Sequence, residues 1–163
     1  MVTNISHSPS DTFGLGETWG RAVQPGQVIG LCGDLGAGKT QLVKGLAQGL
    51  GIRERVHSPT FALVNVYSGG RLNLFHLDLY RLDSRDQIIA AGLEEYLRPS
   101  GVTIIEWAER WFGPPGREAA AESAEFVGGK FSNVSAATLA IRWVQIDILG
   151  ESERRISHED LGA

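Results

Sequence analysis

Short apolar runs and segments with helical apolar spacing alternate along much of the chain. Residues 27–32 and 102–106 form two short apolar runs that each follow a glycine, a pattern typical of buried strands. Between them, residues 39–50 place apolar side chains three and four positions apart, which predicts a helix. A first helix is predicted over residues 11–23, because Asp11 can cap its start and Pro25-Gly26 ends it.

The pattern continues less regularly after the second helix. Residues 61–67 and 71–78 flank a Ser-Gly-Gly turn, which predicts a β-hairpin. A helix is predicted from position 83 or 84 to about 97, and alternating residues predict strands over 139–149 and 154–157. Strands that alternate with helices predict an α/β sandwich around a mostly parallel sheet, with antiparallel additions.

Length and composition indicate one folded domain. The 163 residues are 42% hydrophobic and 21% charged, as in globular chains, which excludes wholesale disorder. We expect a single domain over residues 1–163, with residues 1–9 irregular or a short edge strand and an irregular surface insertion at about 113–137. The single cysteine, Cys32, excludes an internal disulfide framework and a cysteine-based zinc cluster.

Charge and hydropathy indicate what the protein is expected to bind and where it is expected to be located. The net charge is −4, whereas the electrostatic footprint of a nucleic-acid-binding protein is basic. Arg53, Arg55 and His57 form a local basic cluster. The N-terminus lacks a basic segment followed by an apolar one, and no stretch approaches the roughly 18 apolar residues of a membrane span. We therefore expect a soluble, cytoplasmic protein that contacts no membrane.

Glycine is used to excess, with 21 in the chain, against an average usage of about 7%. Three of these glycines belong to Gly33-Asp34-Leu35-Gly36-Ala37-Gly38-Lys39-Thr40, which matches the phosphate-binding pattern G-x-x-x-x-G-K-[ST] without departure. The predicted strand before this loop and the predicted helix after it supply the setting that the motif requires. The sequence therefore predicts a P-loop nucleotide site.

The P-loop chemistry explains each residue type in the motif. Its glycines let successive backbone N–H groups surround a phosphate, and the positive end of the following helix faces the same anion. Lys39 is expected to reach the β- and γ-phosphates, and the Thr40 hydroxyl to bind Mg²⁺. ATP is the expected nucleotide, because neither Lys44 nor Lys130 belongs to the Asn/Thr-Lys-x-Asp pattern that reads guanine.

A P-loop site also needs an acid at the end of a neighbouring strand. Asp78 and Glu106 both stand at the carboxyl end of a predicted strand, the edge at which open α/β sheets bind ligands. Either could hold Mg²⁺ while the other polarises the attacking water, and the sequence leaves that choice open. Thr60 lies between the P-loop helix and the next strand, where nucleotide switches place a threonine that senses the γ-phosphate and its metal.

Four motifs occur in order at short separations: GDLGAGKT at 33–40, SPTF at 58–61, HLDLYRL at 76–82 and EW at 106–107. This set resembles the bacterial ATPase family required for threonylcarbamoyladenosine modification of tRNA, known as TsaE. The resemblance covers about residues 8–112 and, more weakly, the last two strands. It implies a P-loop NTPase-like, three-layer α/β sandwich.

The resemblance also implies roles for the site residues. It assigns residues 33–40 to the triphosphate, Thr40 and Glu106 to Mg²⁺, and Asp78 to positioning of the metal or the water. Thr60 belongs to a switch-like loop in the family. The expected catalytic residues are Lys39, Thr60, Asp78 and Glu106; the expected metal ligands are Thr40, Asp78 and Glu106.

Other positions carry weaker implications. By the resemblance, Trp107 is a candidate for an active-site or partner contact, and adenine would lie near residues 8–12 and near Arg154. The sequence departs from the family at Gln41, where a second threonine is frequent, and at Leu77, where an aromatic residue is usual.

Family members work with two other proteins that transfer a threonylcarbamoyl group to adenosine 37 of tRNA. The resemblance therefore implies two protein partners, and the acidic composition favours only indirect contact with tRNA. Residues 117–137 look inserted relative to the family.

Two other functions stay open, a small-molecule P-loop kinase and a nucleotide-dependent binding module with little turnover. Against the kinase, Arg117 and Lys130 are the only basic residues of segment 113–137, whereas a kinase lid is rich in arginine.

Overall fold

A computed structural model describes residues 1–115 and 141–159 of the chain. The strands are β1 (Val2–Ser6), β2 (Val28–Cys32), β3 (Val64–Tyr67), β4 (Leu74–Asp78), β5 (Val102–Glu106), β6 (Arg142–Ile148) and β7 (Arg154–His158). The helices are α1 (Pro9–Ala22), α2 (Lys39–Gly49), α3 (Arg85–Ala90) and α4 (Glu109–Phe112), with a 3₁₀ helix at Leu93–Leu97. In the described residues these strands form one sheet in the order β1-β7-β6-β2-β5-β4-β3.

The centre of the sheet is parallel and its edges are antiparallel. Strand β2 pairs in parallel with β5 and β6, and β5 pairs in parallel with β4. Strands β3, β7 and β1 add in antiparallel orientation. The prediction of a mostly parallel sheet with antiparallel additions is confirmed.

Helices cover both faces of the sheet, so the fold has three layers. Every residue of β2 is buried, as expected of a central strand between two layers. Ile29 and Leu31 join the core beneath α1 and α2, whereas Val28 joins a second core with Ile88 of α3 and Trp111 of α4. The continuous apolar run that predicted β2 is therefore explained by burial on both faces.

Strands β3 and β4 each begin three residues later than predicted, and three helical elements differ from the sequence prediction. The helix predicted up to position 97 is interrupted, because α3 ends at Ala90 and Gly92 has a φ of 72°, a left-handed conformation that ends a helix. Helix α1 begins before Asp11, since the Ser8 side chain accepts the Asp11 N–H and caps it there. Helix α4 was not predicted. For residues 1–9 the prediction offered an irregular segment or a short edge strand, and the structure has the edge strand β1. Positions 116–137 of the predicted insertion lie outside the described residues.

Helices α1 and α2 approach each other through glycines, backbone to backbone. A Cβ atom built on Gly16 or Gly20 of α1 would lie 2.3 or 2.2 Å from a carbonyl oxygen of α2. One built on Gly45 or Gly49 of α2 would lie 2.0 or 2.1 Å from a carbonyl oxygen of α1. Since ordinary contacts are longer than 3 Å, no side chain fits at these four positions without moving a helix. Among the described residues, no helix is long and apolar enough to cross a membrane.

Candidate functional site

The loop 33–38 connects β2 to α2 at the carboxyl edge of the parallel strands. Gly36 and Gly38 have φ values of 79° and 102°, a region that residues with a side chain rarely adopt. Gly38 is also the N-cap of α2 and offers no side chain to the first N–H groups of the helix. Those groups are therefore free to bind an anion in front of the helix.

Lys39, the first residue of α2, points back into its own loop. Its ammonium donates to the carbonyl oxygens of Gly33 at 2.6 Å and Asp34 at 3.0 Å, and it lies 4.0 Å from the centre of the Trp107 ring. Only 5% of the residue is exposed. Burial lowers the pKa of Lys39, whereas the nearby carboxylate of Glu106 favours its charged form. A positive charge is thus held, weakly solvated, at the loop that an anion would enter.

Glu106 ends β5 directly beside the P-loop threonine. The Thr40 hydroxyl donates to Glu106 Oε1 at 2.8 Å, and His76 Nε2 lies 2.8 Å from the same oxygen. Glu106 is 3% exposed. A hydroxyl and a carboxylate are thereby brought together in a water-poor corner of the sheet edge.

Asp78 is the direct neighbour of Glu106 in the β4–β5 register, but it has different partners. Its Oδ2 accepts hydrogen bonds from Ser58 at 2.8 Å and Thr60 at 3.1 Å, and its Oδ1 accepts the N–H of Tyr80 at 2.9 Å. The two acids are therefore distinguished by the structure: Glu106 contacts the P-loop, and Asp78 holds the 58–60 loop.

One cavity of about 410 Å³ contains most of the predicted site. Its lining takes in the four expected catalytic residues, Lys39, Thr60, Asp78 and Glu106, together with Thr40. Other lining residues of the loop and its surroundings are Leu35, Gly36, Gly38, Gln41, Ser58, Tyr80 and Trp107. Gly33, Asp34 and Ala37 do not line this cavity; the first two supply the carbonyl partners of Lys39.

A second cavity of about 280 Å³ shares Gly36 and Gly38 of the P-loop with the first. Its lining comes from the α1 start (Ser8, Pro9, Thr12), the P-loop (Gly36, Ala37, Gly38), Gln41 of α2, the β6–β7 turn (Glu151, Ser152) and Arg154 of β7. Arg154 donates to the carbonyl oxygens of Ala37 at 3.1 Å and Gly36 at 3.2 Å. The structure thus brings together the two segments near which adenine was expected.

The backbone is strained at Trp107, next to Glu106. Trp107 has a φ of 60°, which is uncommon outside glycine and concentrates at functional sites. Its ring packs 5.1 Å from that of Tyr80, so an aromatic wall closes one side of the larger cavity. Arg81, the arginine of the HLDLYRL motif, does not line that cavity. Its guanidinium instead lies 4.0 Å from the centre of the exposed Phe61 ring.

Sequence reasoning missed two contributors to the site. His76 belongs to the HLDLYRL motif, and as a residue of a predicted strand it could equally be part of the core; its contact with Glu106 is visible only in the folded chain. Ser58 was noted only as part of the SPTF motif, yet it shares Asp78 with Thr60. The available signals were a histidine inside an apolar strand two residues before Asp78, and a second hydroxyl two residues before Thr60.

The side-chain oxygens at this edge are of the kind that Mg²⁺ prefers. The described residues contain no group of three or more His, Cys, Asp or Glu side chains that could hold a metal ion. Thr40 and Glu106 instead supply one hydroxyl and one carboxylate, with Asp78 adjacent. Mg²⁺ typically takes one or two carboxylates, keeps several waters and completes its shell with substrate phosphates, so this small donor set fits it.

Comparisons with known proteins identify the family to which the chain is similar. The family model described as "Threonylcarbamoyl adenosine biosynthesis protein TsaE" matches residues 6–127. A tRNA threonylcarbamoyladenosine biosynthesis protein TsaE of Treponema pallidum (strain Nichols) is 49% identical over 106 residues, which cover 65% of this chain and 78% of the relative. The protein of the same name from Bacillus subtilis (strain 168) is 43% identical over 101 residues, 62% of this chain and 63% of the relative.

A solved structure extends the comparison to nearly the whole chain. The crystal structure of Bacillus subtilis YdiB matches with a TM-score of 0.70 at 29% sequence identity, covering 99% of this chain and 86% of that one. The matched segment of the Bacillus curated relative is less than two thirds of its length. The family model nevertheless covers well over half of this chain, and the chain belongs to the TsaE family.

Proposed function

We propose that this chain is a Mg²⁺-dependent ATP-binding protein and ATPase that supports the complex that makes N6-threonylcarbamoyladenosine at position 37 of tRNA. One observation carries the proposal. The Thr40 hydroxyl of the P-loop helix is hydrogen-bonded to Glu106 at 2.8 Å, inside the cavity that also contains Lys39, Thr60 and Asp78. Membership of the TsaE family supports the link to tRNA modification.

The triphosphate would lie against the P-loop. Backbone N–H groups at the start of α2 would bind phosphate oxygens, and the Lys39 ammonium would exchange the carbonyls of Gly33 and Asp34 for the β- and γ-phosphates. The cavity beside Arg154 and Thr12 would take the adenine, because Gly36 and Gly38 of the P-loop also line it.

Thr40 and Glu106 would hold the metal, which neutralises charge on the phosphates when it is bound. Asp78 is better suited to control of the 58–60 loop, since both hydroxyls of that loop end on its Oδ2. Release of Thr60 from Asp78 would free its hydroxyl for the γ-phosphate side of the site. Asp78 Oδ2 would keep its bond from Ser58 and gain a free acceptor position, which would accept a proton from the attacking water.

The partners would be the two other proteins of the threonylcarbamoyl-transfer complex, with tRNA contacted only through them. The net charge of −4 supports indirect contact, because it offers no broad electrostatic attraction for RNA. We expect weak tRNA binding by the purified chain; tight, salt-sensitive binding in a filter or fluorescence assay would contradict this part of the proposal.

The test is ATP turnover, measured as phosphate release with and without the two partner proteins and with and without tRNA. Lys39→Ala and Glu106→Ala should reduce the partner-stimulated rate, the latter by about 10²–10⁴-fold if its carboxylate acts in acid–base catalysis or holds the metal. Lys44→Ala is the matched control, because Lys44 is an exposed lysine of the same helix and does not line the larger cavity.

Three results would overturn the ATPase assignment. Unchanged turnover in both site variants would remove the catalytic role of the cavity. Stoichiometric phosphate transfer from ATP to a nucleoside or sugar, without free phosphate, would identify a kinase instead. Tight ATP binding with no turnover under any partner condition would leave a nucleotide-dependent binding module.

A further inference from the structure

His76 is the most deeply buried polar side chain near the site, and the proposed mechanism does not use it. It lies in β4, where its side chain is 0% exposed, two residues before Asp78. Its register partner on β5 is Ile104, two residues before Glu106. A β-strand returns to the same face every two residues, so His76 lies diagonally behind Glu106 on the sheet.

The imidazole contacts the oxygen of Glu106 that Thr40 also contacts. His76 Nε2 and Thr40 Oγ1 both lie 2.8 Å from Glu106 Oε1. A carboxylate only accepts hydrogen bonds, so a hydrogen bond between these two atoms requires the proton to be on Nε2. Within the described part of the chain, the Glu106 carboxylate has these two hydrogen bonds, and both are made to Oε1. The pair fixes the rotation of the carboxyl group while leaving Oε2 to other ligands.

The other ring nitrogen shows that packing alone does not explain this histidine. His76 Nδ1 is buried and has no hydrogen-bond partner among the described residues. A buried polar atom without a partner costs free energy, and such an atom in a folded protein requires an explanation. An apolar side chain in β4 would avoid that cost but would lose the contact with Glu106.

We propose that His76 is a positioning residue for ATP hydrolysis, which holds the Glu106 carboxylate in the orientation required for Mg²⁺ binding and turnover. This inference rests on the proposed ATPase function. Partners behind a metal-binding side chain fix its orientation, and their loss typically reduces metal affinity or activity by about 10–100-fold. His76 does not touch the cavity itself, so its effect is transmitted through Glu106.

Kinetics separate this role from a structural one. His76→Leu should lower kcat by about 10–100-fold and raise the Mg²⁺ concentration needed for half-maximal turnover. The KM for ATP should stay within about 2-fold, because the P-loop and not Glu106 holds the phosphates. His76→Gln should restore much of kcat, since its amide nitrogen can approach the position of Nε2. Leu74→Val is the packing control, because Leu74 is fully buried on the same face of the same strand and pairs with Val102, four residues before Glu106.

A measurement on the nucleotide-free wild-type protein does not depend on the variants folding. In the ¹⁵N spectrum of histidine-labelled protein, the Nε2 of His76 should carry a proton. An unprotonated Nε2 would overturn the proposal, because it could not donate to Glu106. A kcat for His76→Leu equal to that of Leu74→Val would also overturn it. If the wild-type protein itself turns over no ATP, the proposed function fails, and the ¹⁵N result still decides whether His76 holds Glu106.

Discussion

The interface between α1 and α2 yields a prediction with an internal control. Gly45→Ala places a Cβ atom 2.0 Å from the carbonyl oxygen of Phe13 in α1, well inside the contact distance of about 3 Å or more. Gly14→Ala makes the same chemical change inside α1, but its Cβ would meet nothing within 4 Å. Both variants gain helix propensity of about 1 kcal/mol, because alanine is favoured over glycine in a helix interior.

The difference between the two variants therefore isolates the steric cost. Overpacking typically costs about 1–3 kcal/mol, and the upper end applies here because a backbone carbonyl cannot rotate away as a flexible side chain can. We expect Gly14→Ala to be more stable than wild type by about 1 kcal/mol and Gly45→Ala to be less stable by about 2 kcal/mol. The 3 kcal/mol between them corresponds to about 6–12 °C in Tm for a chain of this size.

Urea unfolding followed by circular dichroism, together with thermal unfolding, measures both variants against wild type. Equal midpoints for Gly45→Ala and Gly14→Ala would refute the reasoning, because the helices would then not be in backbone contact. The slope m of the unfolding curves should be the same for all three proteins, so that midpoints report stability and not a change in the unfolded state.

Three further predictions concern the site. Lys39→Met should lose the rise in Tm that ATP and Mg²⁺ produce in the wild-type protein. Without nucleotide its Tm should be at least that of wild type, because burial lowers the pKa of Lys39 and the charged form therefore opposes folding. A variant that keeps the ligand-induced rise in Tm contradicts this. Asp78→Ala should raise the hydrogen-exchange rate of residues 57–61 in the nucleotide-free protein, since Ser58 and Thr60 lose their shared acceptor; unchanged exchange would mean that other contacts hold the loop. Arg154→Ala should weaken the binding of a fluorescent ATP analogue by about 10-fold, equivalent to about 1.4 kcal/mol, because the guanidinium braces the carbonyls of Gly36 and Ala37 beside the smaller cavity; wild-type affinity would exclude that role.

The parts of the fold that the sequence predicted are those set by local pattern. Strand β5 has the predicted bounds, 102–106, and α2 begins at Lys39 as the P-loop motif requires. The interruption after Ala90 could not be predicted from apolar spacing, because a single left-handed residue, Gly92, ends a helix whose apolar periodicity continues. The four-residue helix α4 is too short to have a periodicity of its own.

In the site, as in the fold, features set by local sequence were predicted and those set by long-range contacts were not. Its residue types were predictable because each motif is local, and the structure collects Lys39, Thr60, Asp78 and Glu106 around one cavity. The partner of each acid was not predictable from the spacing of residues, because it depends on contacts made across the fold; only the family resemblance had placed Thr40 and Glu106 together. The hydroxyls of the 58–60 loop reach Asp78, whereas Thr40 reaches Glu106, and no spacing along the chain distinguishes these two pairings.

The glycines that let α1 and α2 approach closely also explain how the two cavities come to share one loop. Gly16 and Gly20 of α1 meet the backbone of α2 near Gly45 and Gly49 in the same chain direction, so the two helices are parallel and their N-termini lie side by side. This places the start of α1 against the P-loop, where the nearest atom to a Cβ on Gly38 would be Thr12 Cγ2 at 3.9 Å. A wider helix spacing would move one wall of the smaller cavity away from the loop that forms the other. Gly45→Ala should therefore weaken nucleotide binding even at temperatures where it is fully folded, whereas Gly14→Ala should leave it unchanged.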